Sequence, residues 1–158
     1  MKKFMLLLCL LFGASLAWAG DVQLTEESFL SWIKVQKIAG FEVDEETFEN
    51  YDNREFSIDF MATGVPSRLA IKVEGSGALA EIKAESQIKS NSAVAEYADV
   101  DVNGNKAAYY TMPGMQNVSF MNVELPQLDG ELRLTASPKK SADEMRAILA
   151  GLDLQGLK

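Results

Sequence analysis

Asp99, Asp101, Asn103, Gly104 and Asn105 stand at the first, third, fifth, sixth and seventh places of a calcium-loop pattern. Such a loop needs a bidentate carboxylate at its twelfth place, where this chain has Tyr110, and its eighth place, ordinarily apolar, is Lys106. Val100 and Val102 alternate with Asp99 and Asp101 as on a strand. Asn103-Gly104 between alternating runs is a hairpin signal, because both residues tolerate positive φ. A two-residue turn sets Val102 opposite Asn105, Asp101 opposite Lys106, Val100 opposite Ala107 and Tyr97 opposite Tyr110. The opposite-charge and aromatic pairs this makes contribute about 0.2–1 kcal/mol each. The stretch therefore reads as a hairpin in preference to a metal site.

Met112 and Met115 flank Pro113-Gly114, a pair suited to the centre of a type II turn, which brings the flanking Cα atoms within about 7 Å. With Met121 close by, these thioethers are candidate ligands for soft Cu(I). The competing reading makes them core filler beside Tyr109, Tyr110 and Phe120. No metal site is assigned; Met112, Met115 and Met121 stand as the Cu(I) candidates. Ser137-Pro138-Lys139-Lys140 spells the S-x-x-K of penicillin-recognising enzymes, but the S-D-N and K-T-G partner strings are missing and the helix signal begins only at Ser141. Glu42, Asp44, Glu45, Glu46, Glu49 and Asp52 crowd one segment; a paired-carboxylate enzyme needs two acids opposed across a cleft, whereas a charge run ordinarily marks solvated surface. Trp32 reads as core and not as a stacking platform. Asn117-Val118-Ser119 matches a glycosylation string, discounted in an exported chain of bacterial type.

The missing residue types restrict the chemistry further. The chain has no histidine, and its single cysteine is Cys9. Without a second cysteine there is no internal disulfide, and without histidine there is neither a Ser-His-Asp triad nor the usual zinc set. Cys9 lies in an opening segment that reads as a signal peptide over residues 1–19. Lys2 and Lys3 form its basic start, Phe4 to Phe12 a short apolar run, and Ala17-Trp18-Ala19 the cleavage string, with cleavage between Ala19 and Gly20. Cys9 sits inside the apolar run, which argues against a lipoprotein, and the run is too short to anchor the chain in a bilayer. The expected location is therefore periplasmic or secreted. The formal net charge is −8, and loss of Lys2 and Lys3 makes the mature chain more acidic. That balance opposes binding to nucleic acid or to anionic membrane surfaces.

The elements that must position these residues follow from periodicity. Thr25 as cap, Glu26 and Glu27 at the positive end, and Phe29, Trp32, Ile33 and Val35 as an apolar surface predict a helix stopped at Gly40. Phe56, Ile58 and Phe60, then Leu69, Ile71 and Val73, predict two strands about a turn at Gly64 to Pro66. Residues 77–90 alternate like a strand but are built of helix formers; they are read as a helix, with Ser76 as cap. Turns at Asn103-Gly104, Pro113-Gly114 and Asp129-Gly130 divide four strand-like runs into a meander. In Met115 to Leu125 the apolar phase changes at Phe120-Met121, indicating a bulge or a strand buried on both faces. Ser141 with Glu144 forms a capping box before Met145, Ile148 and Leu149, with Gly151 as stop. Residues 20–158 are thus expected to form a single α+β domain: an antiparallel sheet of about six strands with N-terminal, middle and C-terminal helices packed on it.

The strings Val100 to Met112, Gly130 to Ser137 and Ser141 to Leu152 resemble a pattern in small exported bacterial domains of unknown function. The layout is similar to the PsbP-like α/β/α sandwich, named after a photosystem extrinsic subunit. The resemblance implies a non-enzymatic binding or assembly role and brings no catalytic residues. The expected function is accordingly an exported, non-catalytic binding or interaction module with no cofactor, docking or inhibiting another envelope protein. A Met-based Cu(I) protein and a carboxylate-dependent enzyme are the alternatives.

Overall fold

The computed structural model describes residues 22–88 and 90–158; the expected signal segment 1–19 and its Ala19–Gly20 junction lie outside them. Three α-helices occur among the described residues. The first, α1, runs Glu26–Val35, where Thr25 Oγ1 accepts from the Ser28 N–H at 3.1 Å. The helix ends earlier than expected: Val35 is 69% exposed, and Gly40 belongs to a separate turn (φ 82°) in which Phe41 N–H donates to Ile38 O. Burying Ile38 requires the chain to leave the helix axis before Gly40.

Three strands follow, β1 (Phe41–Tyr51), β2 (Glu55–Ala62) and β3 (Arg68–Gly75), then α2 (Ala78–Ser86). After α2 come β4 (Glu96–Val102), β5 (Asn105–Thr111), β6 (Ser119–Leu125), β7 (Gly130–Ser137) and α3 (Ala142–Ala150). They form one seven-stranded sheet of order β1-β2-β3-β7-β6-β5-β4, antiparallel at every pairing. The chain lays down β1 to β3, crosses by α2 to the far edge, and returns through β4 to β7 so that β7 lands on β3.

The seventh strand is β1, the acidic segment expected to be plain solvated surface. Its register shifts between Asp44 and Glu49, and that irregularity breaks the period-two pattern by which a strand is recognised. Phe41, Val43 and Phe48 pack against the core while Glu42, Glu45, Glu46 and Glu49 stay exposed. At the irregularity Thr47 Oγ1 stands in for a ladder acceptor, taking the Asp59 N–H at 2.9 Å. The charges also guard an open sheet edge against further strand pairing.

One sheet face is the main core. Phe56, Ile58 and Phe60 of β2, Leu69, Ile71 and Val73 of β3, Leu132, Leu134 and Ala136 of β7, and Met121, Val123 and Leu125 of β6 are buried there. On it lie α1, with Phe29 stacked 5.6 Å from Phe56, and α3, with Met145 and Leu149 buried. Leu152, Leu154 and Leu157 close the cluster. Full burial of one such side chain contributes about 1.5–3 kcal/mol. Trp32 belongs here too, its indole N–H donating to Asp153 O at 2.7 Å. The Asn103-Gly104 hairpin has the expected register in full, and β6 is buried on both faces. The helix of α3 opens with the Ser141–Glu144 capping box and closes at Gly151. Asp129 itself holds the left-handed turn (φ 48°), while Gly130 is required by close approach: a Cβ there would meet Glu74 O at 2.7 Å.

Candidate functional site

The opposite face of the sheet is polar by sequence yet largely sheltered. Register sets Glu55, Glu74, Glu131 and Glu124 side by side across β2, β3, β7 and β6. Like charges directly opposite one another repel, so each glutamate requires its own counter-charge. Two residues along the strands stand Lys72, Arg133 and Asn122 on adjacent β3, β7 and β6. Lys72 Nζ lies 2.6 Å from Glu55 and 2.8 Å from Glu74. Arg133 Nη2 lies 2.8 Å from Glu74 Oε1, an ion contact with no aligned hydrogen bond. Glu124 is 3.8 Å from Lys106.

Among the described residues no cation lies within ion-pair distance of Glu131. It is 2% exposed, and its carboxylate accepts from Gly77 N–H at 2.9 Å, Leu79 N–H at 3.0 Å and Asn122 Nδ2 at 3.0 Å. The first two are unpaired amides of the α2 N-terminus, whose positive end supplies the missing charge. Asn122 is oriented from its other side, where Oδ1 accepts from Arg133 Nε at 3.1 Å and from the Tyr110 hydroxyl at 3.3 Å. A single chain of contacts thus runs Glu55, Lys72, Glu74, Arg133, Asn122, Glu131 and into α2. Beyond it Tyr110 stacks on Phe120 at 5.1 Å and 16°.

Burial pushes the Tyr110 hydroxyl up to about 12; Arg133 opposes this, and Glu74 and Glu131 add to it. For Arg133 burial works against the charge, but Tyr110, Glu74, Glu131 and Glu55 outweigh it and raise the guanidinium's pKa. Tyr110 therefore keeps its proton and Arg133 its charge at neutral pH. The arrangement offers oriented hydrogen-bonding groups, and its ions are engaged with one another.

The structure places the sequence candidates elsewhere. Met112 and Met115 share the Pro113-Gly114 turn, Met115 N–H donating to Met112 O at 3.1 Å and Met115 exposed. Met121 is fully buried in the main core, so a thioether trio would have to draw it out of that packing. In the S-x-x-K string, Lys139 pairs with Glu96 at 2.9 Å and Lys140 approaches Glu144 at 4.0 Å. Among the edge carboxylates, Glu45 meets Lys34 at 3.4 Å and Glu49 accepts from the Tyr51 hydroxyl at 2.7 Å. In the hairpin, Asp101 faces Lys106 but accepts from Gly104 N–H, leaving Lys106 to Glu124. Tyr97 likewise faces Tyr110, but its hydroxyl donates to Asp99 at 2.7 Å. Among the described residues no three or more His, Cys, Asp or Glu side chains are grouped to hold a metal ion, and no helix is long and apolar enough to cross a membrane.

Sequence reasoning missed Glu131 and Asn122. Ser76, the expected α2 cap, points its hydroxyl to Asp129 instead, and the cap position is Gly77, with no side-chain cap bond. The one signal available was Glu131, Arg133 and Thr135 alternating with buried residues in β7. Comparison with protein-family models found no match, and neither the curated proteins nor the solved structures gave one.

Proposed function

We propose that the mature chain is an exported, non-catalytic binding module that docks another envelope protein through the polar face of its sheet. The observation that carries this reading is the unequal cover of that face. Among the described residues α2 packs over β4, β5 and β6, and no helix makes a comparable contact with β2 or β3. Ser57 and Ala70 lie half-buried there, with Met61 42% exposed and the Arg68 side chain 58% exposed. This is a surface of mixed polarity, and its cations are already paired, Arg68 to Asp59 at 2.6 Å and Lys72 to two glutamates. Such a surface suits complementary protein contact better than proton transfer. The opening Lys2-Lys3, apolar run and Ala17-Trp18-Ala19 string support export, and the PsbP-like resemblance supports a non-enzymatic role.

The test is a photo-cross-linking residue at Ser57 or Ala70, with Val35 on α1 as control, expressed in the native envelope. A discrete protein adduct from positions 57 and 70, absent from 35, is the expected result. Equal labelling at all three positions, or hydrolytic turnover abolished by one Asp or Glu substitution, overturns the reading.

A further inference from the structure

We infer that α2 is a hinged cover fastened by Glu131, able to leave the sheet while the rest of the fold stays closed. The inference deepens the binding reading, since it concerns the covered half of the same face. Its test uses no partner, so its failure leaves that reading standing.

Four observations carry it. First, α2 buries none of its residues, whereas α1 buries Phe29, Trp32 and Ile33, and α3 buries Met145 and Leu149. No residue of α2 enters the main hydrophobic cluster or the partly buried side chains packed against it. Removing α2 therefore leaves that cluster intact.

Second, the attachment to a buried sheet side chain lies at the N-terminal end; at the other end Glu85 accepts from the connecting segment, from Ser92 Oγ at 2.7 Å and Ala93 N–H at 3.4 Å. The N-terminal amides of α2 have no side-chain cap from their own segment, and both Glu131 oxygens accept from Leu79 N–H, with Gly77 N–H as well. Farther along, the side-chain bonds from the helix to the sheet run from Lys83 to Asp99, between exposed groups.

Third, the chain can bend where a hinge is needed. Gly75 and Gly77 bracket the entry, and Gly77 at φ 125° holds a conformation that other residues rarely adopt.

Fourth, the latch is held from below and not by the lid. Asn122, itself fixed by Arg133 and Tyr110, donates to Glu131 from within the sheet, independently of the bonds Glu131 accepts from α2. The surface on that face includes Ala108, Tyr110 and Phe120, all buried yet outside the main cluster. Two stacked rings beside an oriented amide and a guanidinium thus lie on the face of β5 and β6 over which α2 packs.

Hydrogen exchange with mass spectrometry tests this in the mature chain. Peptides covering 78–86 are expected to exchange at least ~10-fold faster than those in β3, β6 and β7, through an opening insensitive to low urea. Glu131→Ala is expected to abolish α2 protection while β3 and β6 keep theirs; Glu131→Gln, which retains an acceptor, retains part of it. If α2 and the central strands of the parent protein exchange together through one urea-sensitive opening, the inference is wrong. It is equally wrong if Glu131→Ala folds and leaves α2 protection unchanged. Should Glu131→Ala fail to fold, the parent's exchange pattern in urea decides the matter by itself.

Discussion

Ile71 and Lys72 are neighbours in β3, yet each belongs to a different kind of interior. Ile71 lies fully buried among Ile58, Leu134 and the helices of the main core, held by apolar burial and close packing. Lys72 lies between Glu55 and Glu74 on the other face, where each glutamate of a repelling row must be neutralised in turn. Burial on the first face is non-directional and tolerates many side chains of similar volume. On the second it depends on which ion meets which, and one deletion strands its partner. The sheet thus has one face that stabilises by area and one that stabilises only when complete.

The sharpest way to break this contrast is to remove a side chain from the centre of each face. Leu134→Ala leaves a cavity at a fully buried site and should cost about 2–5 kcal/mol in denaturant unfolding. Arg133→Met, on the adjacent residue of β7, keeps most of the volume but leaves Glu74 with Lys72 alone and Asn122 Oδ1 one donor short. Its expected cost is about 1–3 kcal/mol, from stranded partners and not from lost area. The decisive measurement is the double variant Arg133→Met with Glu74→Leu. If the polar face works by mutual neutralisation, the double variant is more stable than the sum of the two losses predicts. Simple additivity would show that the ladder is no unit.

The same contrast explains what could be read in advance. The apolar alternation of β2, β3 and β7 announces a core face, since burial leaves a period-two trace within each strand. The hairpin register followed from Asn103-Gly104, because the turn and its two strands are contiguous. The ladder leaves no such trace. Glu74 meets Glu131 and Lys72 meets Arg133 only because β7 returns to pair with β3, a pairing between segments separated by α2 and three strands of chain. Glu131 looked like solvent-facing polar alternation, and its role as the cap of α2 exists only in three dimensions. β1 was hidden for a different reason: its irregularity scrambles the local period, and its charges face outward.

Alkaline pH probes the polar face without mutation. Tyr110 has a folded pKa of about 12 against an ordinary 10.0, as does Tyr97, raised by burial and by its bond to Asp99. Above the ordinary value the unfolded chain loses these protons while the folded chain keeps them. The unfolded state then binds fewer protons, and stability must fall as pH rises. The contribution is complete below pH 10 and drains away between about 10 and 12. Unfolding midpoints measured across that window should decline, and Tyr110→Phe should flatten the decline. That substitution also removes the hydroxyl bond to Asn122, at a cost of about 1 kcal/mol at neutral pH. An unchanged slope in Tyr110→Phe would place the titration elsewhere.

The smallest effects come from the helix caps, and they divide along the same line. On the core face α3 is capped from within its own segment, Ser141 Oγ accepting from Glu144 N–H at 3.3 Å. Ser141→Ala should therefore cost about 1 kcal/mol, read as a lowered unfolding midpoint, while Met145 and Leu149 keep the helix seated. Ser76, the expected cap of α2, stands one residue before the actual cap position Gly77; its hydroxyl donates at 3.3 Å to Asp129, and the helix amides go to Glu131. Ser76→Ala should then shift stability by less than about 0.5 kcal/mol, as expected of an exposed residue outside any cap. The two serines look alike in sequence, and equal losses at both would mean that α2 is capped locally after all. A loss at Ser141 alone assigns the capping of α2 to the sheet, through a carboxylate 55 residues beyond Ser76 in the chain.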